Sequence, residues 1–496
     1  MRYLQIIFIL TIFLFFSSLE GFGQDTPDPC GTVDFESPTL EEWRANRGQI
    51  AMLRSNDMLY VKMKIHIVGT DDGNGYYSLP SLLESFCKLN EDMAGAGIKM
   101  EMDPDINYIN SNRFFDHSFQ IGAQMMSQHN VPNMVNCYIV DDPAGNCGYF
   151  SPSRDAVALK KSCLGGRSAT WSHELGHFFS LPHTFSGWEG TEYEYGEVAP
   201  TRIGNGSRLV ELADSSNCED AGDGFCDTQA DYLSFRWSCS QQLSPDTLLD
   251  PDSIPFRTNG INIMSYSNDN CQSIFSEEQA SAMQFDITVG RSNHISSNDI
   301  PEPINFEPDS FVALEGIDEE VLQYDDATIR WKSIAGADFY VVELTRVLPF
   351  ATRPDFEFFI TDTFLTMDFL DEDFFYDWEV TPFHPGDGCS PKSNKYRFFA
   401  SEPSSTNLAE RNDKLSVFPN PVLSSELIQI NYHAERPSKA QLEIITLSGQ
   451  IISHKVVQLQ HGMNKISMSG NRISSGMYLL QIRDENGVAR TKVSVQ

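Results

Sequence analysis

His173, Glu174 and His177, with His183 six residues further on, are residue types that can hold and use a metal. On an α-helix of 3.6 residues per turn, His173 and His177 share one face a turn apart, so both imidazoles can reach one ion. Glu174 lies beside them, close enough to take a proton from a water on that ion without displacing it. His183 cannot use the same helix, because six residues past His177 lie well along the axis and round its far side. Leu181-Pro182 supplies the stop: proline lacks the amide a helix needs and disfavours helical backbone in the residue before it. Three neutral imidazoles leave one tetrahedral position of zinc for water, which is the arrangement of a catalytic site rather than a structural one. Downstream, Ile261-Asn262-Ile263-Met264-Ser265-Tyr266-Ser267 has the form of a methionine turn.

The helix motif followed by Thr184-Phe185, with Met264 and then Tyr266, resembles the pappalysin family of metzincin zinc endopeptidases, over roughly residues 30–290. The resemblance implies roles by position. His173, His177 and His183 are the zinc ligands, Glu174 the general base, Met264 the hydrophobic floor beneath the metal, and Tyr266 a phenol that stabilises the transition state. It also implies the disulfides Cys218–Cys239 and Cys226–Cys271. Family members have glycine where this chain has Ser180, at the break of the helix; if that backbone is left-handed, serine costs roughly 1–2 kcal/mol. Asn270 stands where arginine-preferring relatives carry an aspartate at the base of a specificity pocket, and an amide does not pair with a guanidinium as a carboxylate does. Cys30 has two readings: a zymogen switch whose thiolate caps the zinc until cleavage near Arg44–Arg54, or an ordinary disulfide with Cys87, Cys137, Cys147 or Cys163.

The elements that must position these groups show in the hydrophobic pattern. Leu59–Val68 alternates as a strand, with His66 an ordinary strand residue, and Leu82, Leu83, Phe86, Leu89 and Met93 form one stripe of a helix. Further strands are expected at Ile98–Met102, Met134–Val140 and Ala156–Lys160, with a helix near His117–Gln128 and a closing helix over Ser276–Thr288. Strands alternating with helices predict an α/β upper half above a cleft. Residues 184–260 lack periodicity; Glu219, Asp220, Asp223, Asp227 and Asp231 crowd one part of that loop-rich half and are candidate calcium ligands.

Composition bounds the rest. A chain of 496 residues exceeds one core, and 69 acidic against 35 basic residues argue against nucleic acid or an anionic membrane as partner. Met1-Arg2, the apolar run Ile6–Phe16 and Ser17–Gly23 read as a secretory signal too short to span a bilayer, and no later segment is long enough. Ten cysteines then suit disulfide chemistry outside the cytosol, with Cys389 lacking a partner in its own module. Trp331 and Trp378 sit on short strands spaced as in a fibronectin type III-like β-sandwich. The ordered pieces Leu415–Pro421, Leu447-Ser448-Gly449 and Gly476–Ile482 with a terminal strand resemble the C-terminal sorting domain of the type IX secretion system, implying that machinery as a partner and export through the outer membrane of a Bacteroidetes-like bacterium, secreted or on the cell surface. The expected layout is a signal peptide (1–23), a candidate pro-segment (24–55), a metzincin domain of α/β (α+β) class (56–292), a linker (293–308) and a β-sandwich (309–400), then a second linker (401–413) and the sorting domain (414–496). The expected function is that of a secreted zinc-dependent metalloendopeptidase acting on proteins or peptides. Two alternatives are a surface-displayed binding or adhesion protein on a degenerate metzincin scaffold, motivated by Ser180, and a zinc hydrolase of non-peptide amides or esters.

Overall fold

The computed structural model describes residues 30–32, 35, 37–50, 58–204, 206–296, 304–317, 320–348, 354–386, 388–401, 415–423, 427–434, 436–446, 451–469, 473–484 and 487–495. The expected signal peptide, Arg54 and the Leu447-Ser448-Gly449 turn lie outside them. The first half opens with α1 (Pro38–Ile50) and then alternates β1 (Leu59–Gly69), α2 (Leu79–Ala94), β2 (Ile98–Met102), β3 (Asn107–Asn110), α3 (Asn112–Phe115), β4 (Asp116–His117), α4 (Phe119–His129), β5 (Val135–Val140), β6 (Asp142–Pro143), β7 (Gly148–Ser151) and β8 (Ala156–Lys160). It continues into α5 (Thr170–Phe178) and, after a loop-rich stretch, α6 (Glu277–Phe285). The main sheet runs β2-β1-β5-β8-β7, with β3 also on β1; its strands pair in parallel except β7, an antiparallel edge strand beside β8. β1 and β5 are buried nearly throughout, as parallel strands covered on both faces must be. His66 is a core residue, stacked on Tyr138 and bonded to Asn136 and Asn107.

The fold class is as expected, an α/β half followed by two all-β modules. In the first, a three-stranded and a five-stranded sheet enclose a core containing Trp331 and Trp378. In the second, a three-stranded and a four-stranded sheet close on a separate core of Leu442, Ile444, Leu480 and Ile482. Among the described residues no helix is long and apolar enough to cross a membrane.

The cysteine pairing differs from expectation. The structure joins Cys218 to Cys226 and Cys239 to Cys271, not Cys218 to Cys239 and Cys226 to Cys271. Local backbone geometry decides this. Successive turns, with Cys218 N on Ser215 O, Asp220 N on Asn217 O and Gly224 N on Ala221 O, curl the chain until Cys218 and Cys226 are 5.1 Å apart at Cα. Trp237 meanwhile exchanges hydrogen bonds with Tyr266 O and Asn268 N, which carries Cys239 alongside Cys271. Cys147 pairs with Cys163, and Cys389, which has no partner in its own module, bridges to Cys87 on α2. Cys30 forms no disulfide; it and Cys137 are the free cysteines among the described residues, both buried.

Candidate metal centre

Helix α5 is buried at all nine positions, wedged under β7 and β8 and against α2. It stops earlier than the proline requires. Ser180 N donates to His177 O and Leu181 N to Gly176 O, both at 2.9 Å, the paired bonds of a Schellman end with Ser180 in the left-handed region at φ 77°. Pro182 follows the stop and turns the chain so that His183 comes back over the helix. A ring nitrogen of each of His173, His177 and His183, with Cys30 Sγ, forms a buried set of four donor atoms all within 4.8 Å of one another.

The outer ring nitrogens are held by the protein. His173 Nδ1 donates to Ile263 O at 2.7 Å and His177 Nδ1 to Leu181 O at 2.8 Å, while His183 Nδ1 faces Glu189 Oε1 at 3.5 Å. Each bond to a backbone carbonyl fixes the tautomer that leaves Nε2 with its lone pair free for a metal. His177 Nε2 and His183 Nε2 lie 3.1 Å apart, and His173 Nε2 is buried with no hydrogen-bond partner. Burial also keeps the rings neutral. It pushes His173 down to about 4, and with the neighbouring imidazoles it holds His177 and His183 well below the usual histidine range. Three neutral imidazoles and a thiol fit zinc by donor type.

The methionine turn forms the floor. A Cβ at Gly176 would lie 2.3 Å from Met264 Sδ, so only glycine there lets the fully buried Met264 slide beneath the helix. The turn is fastened by Asp231, which accepts from Thr184 Oγ1 at 2.7 Å and Ser265 Oγ at 3.0 Å. Asp231 thus ties the loop after His183 to the methionine turn, which removes it from the calcium candidates. Glu219 and Asp220 are exposed, and Asp227 accepts from Glu278 N at the start of α6. Asp223 is buried with Oδ2 unpartnered, as are both carboxylate oxygens of Glu211, a residue outside the sequence-derived acidic set. No spacing rule marks Glu211 or Glu189, because both lie in irregular loop.

Residues 30–32 run across the centre. Gly31 N donates to Gly148 O on the edge strand β7 at 2.8 Å, and Phe150 N donates to Thr32 Oγ1 at 2.8 Å. Thr32 Oγ1 donates to Glu174 Oε2 at 3.0 Å, the Cys30 thiol lies 3.5 Å from the same oxygen, and Tyr266 Oη donates to Cys30 O at 3.2 Å. Glu174 Oε1 is buried without a partner. Burial pushes the Glu174 carboxyl up to about 8, against the hydrogen bonds from Cys30, Thr32 and Phe150 that lower it. Asn270 is exposed on the turn before Cys271, and the neighbouring Asp269 is already paired with Arg236 at 2.5 Å. The structure therefore brings together the three histidines, Glu174, Met264, Tyr266 and Cys30.

Known proteins resemble parts of this chain. Residues 416–496 match the secretion system C-terminal sorting domain, so the chain carries the type IX export module expected from its turn motifs and is directed out of the cell. An extracellular metalloprotease of Colletotrichum graminicola is 24% identical over 289 residues, 53% of this chain and 88% of that protein. Another from Podospora anserina is 24% identical over 309 residues, 55% of this chain and 92% of the relative. Among solved structures, a Tannerella forsythia promirolysin mutant aligns at 16% identity with a TM-score of 0.36, covering 54% of this chain and 95% of that one. The chain is similar to secreted metalloproteases.

Proposed function

We propose that the first half is a zinc-dependent metalloendopeptidase of pappalysin-like type, exported by the C-terminal module and capped in this chain by its own residues 30–32. The observation that carries the reading is the convergence of His173, His177 and His183 beside a buried carboxylate whose Oε1 is free. Zinc held by those three imidazoles would supply Lewis-acid polarisation of the scissile carbonyl and acidify the attacking water.

The chain's own groups account for the remaining work. Glu174 takes the proton of the attacking water and passes it to the leaving amine, a role that its buried, unpartnered Oε1 beside the three imidazoles supports. Tyr266 Oη, which donates to the Cys30 carbonyl here, donates to the oxyanion of a substrate carbonyl in its place; removing one such donor costs roughly 3–4 kcal/mol in other hydrolases. The edge strand β7 pairs with Gly31 and offers the same main-chain contact to an extended peptide, which argues for a polypeptide substrate over a small amide or ester. In the capped form Thr32 and Cys30 occupy Glu174 Oε2, so the base and the fourth zinc position are blocked together. A second cation, calcium, has its candidate ligands in Glu211, with both carboxylate oxygens unpartnered, and Asp223, with Oδ2 unpartnered, two carboxyls that burial pushes up. The binding-protein alternative draws on Ser180 and on the acidic, multi-module build; of these, the serine completes the turn after the helix and so is no defect of the scaffold.

The test is peptide cleavage read by mass spectrometry, with the full chain trimmed between residues 33 and 57, beside Glu174→Gln. We expect cuts from the parent only, abolished by a chelator, with zinc content equal in both proteins and turnover in the variant at least a hundredfold lower. Near-normal rates in Glu174→Gln would sink the assignment.

A further inference from the structure

Ser180 departs from the glycine of the resembling family, and its hydroxyl is not idle. The side chain is buried at 4% exposure, with Oγ 2.7 Å from Ser37 Oγ, 3.2 Å from Thr39 Oγ1 and 2.8 Å from Asp286 Oδ1. Thr39 Oγ1 lies 2.8 Å from Ser37 Oγ and also donates to Asp286 Oδ1. Arg291 holds the other oxygen of Asp286 through Nε at 2.8 Å and donates through Nη2 to Phe178 O, the last carbonyl of α5, at 2.9 Å. Three hydroxyls and one carboxylate thus form a closed cluster, buried except at the half-buried Thr39, in which Ser37 and Thr39 come from the N-terminal segment and Ser180 from the bend between the second and third histidines.

The cluster needs serine. Glycine would suit the backbone at φ 77° better, yet it would remove the group that Ser37 Oγ donates to and one of the donors to Asp286. Ser37 is also where α1 begins, since Glu41 N bonds to its carbonyl and Leu40 N to its hydroxyl. Cys30 lies only seven residues upstream of it. A tether that short, pinned at one end, keeps the other end at high local concentration over the metal ligands.

We propose that Ser180 is the docking residue for the N-terminal segment: with Asp286 it forms a receptor for Ser37 and Thr39, and so holds Cys30 over the three imidazoles. The proposal rests on reading residues 30–32 as a cap. It gives a reason for serine, with its hydroxyl, at the left-handed position that ends the helix.

The experiment follows alkylation of Cys30 by iodoacetamide in the full chain, with and without prior chelation, resolving the Cys30 and Cys137 peptides by mass spectrometry. Ser180→Gly should speed Cys30 alkylation about three- to tenfold, as expected for losing one or two buried hydrogen bonds, and leave Cys137 unchanged. Ser37→Ala should do the same, and the double variant should add little, because both remove one contact. The thermal midpoint of Ser180→Gly should hold or rise as the strain is relieved, which separates a lost docking contact from general loosening. Equal Cys30 rates in parent and Ser180→Gly, or Cys30 and Cys137 accelerating together, would overturn the proposal. The readout needs no catalysis, so it stands or falls apart from the Glu174→Gln result.

Discussion

The two all-β modules join the rest of the chain in opposite ways. The sandwich module shares the core of the catalytic half: Val341 and Phe383 belong to the same buried cluster as Phe86 and Leu83, with Phe86 and Phe383 ring centroids 6.3 Å apart. Cys87–Cys389 adds a covalent link, Glu357 Oε2 accepts from Leu79 N at the start of α2, and Met102 N donates to Pro385 O. The sorting module has its own core and meets the sandwich through one apolar side chain, Ile451, and through two arginines: Arg490 reaches Thr366 O at 2.7 Å and Asp368 at 3.0 Å, and the Arg483 guanidinium lies 4.4 Å over the Phe364 ring. A shared apolar core is not separable without exposing it to water, whereas a polar contact re-solvates readily. The first module is therefore built into the core of the metalloprotease-like half, while the second keeps a core of its own.

Since α2 carries Asp92, which accepts from Ser172 beside the first histidine at 2.6 Å, the sandwich also steadies the metal helix indirectly. The sharpest way to break the contrast is at the shared core. Phe383→Ala should cost about 3–5 kcal/mol and be read as lost hydrogen-exchange protection in residues 79–94, while removal of residues 402–496 should leave that protection unchanged. Equal effects of the two changes would erase the distinction.

A smaller loss is expected from the covalent link. Cys389→Ser opens a loop of 302 residues and should cost about 2–4 kcal/mol, Cys87→Ser should cost the same, and the double variant should add nothing beyond either. Smallest is a pH effect at the seam. Burial pushes the Glu357 carboxyl up to about 7, so the folded state holds its proton more tightly than the unfolded chain. That contribution is complete below the unfolded value near 4.5 and is lost as pH rises through 7. Glu357→Gln keeps an acceptor for Leu79 N. Its unfolding midpoint should exceed the parent's at pH 8, by the equivalent of about 1–2 kcal/mol, and the gap should narrow toward pH 5.

Much of this was legible in the sequence because it depends on near neighbours. The one-turn spacing of His173 and His177, the stripe on α2 and the alternation of β1 follow from backbone period alone. The helix stop was read from Pro182, but the Schellman bonds place it at Ser180, since a left-handed residue leaves no local signature when it is not glycine. The family-implied disulfides failed for a related reason. Turns within 215–224 and the pairing of Trp237 with Tyr266 and Asn268 set which sulfurs meet, and neither is visible in cysteine spacing.

The sequence by itself determined the residues proposed as ligands and base, the acidic exported character and the order of modules, all properties of residue type and short-range period. Only the tertiary structure decided that Cys30 lies over the histidines, that Ser180 receives Ser37, and that Cys389 reaches back to Cys87. Those are meetings of residues separated by 143 to 302 positions, chosen by how buried surfaces fit together and not by any pattern along the chain.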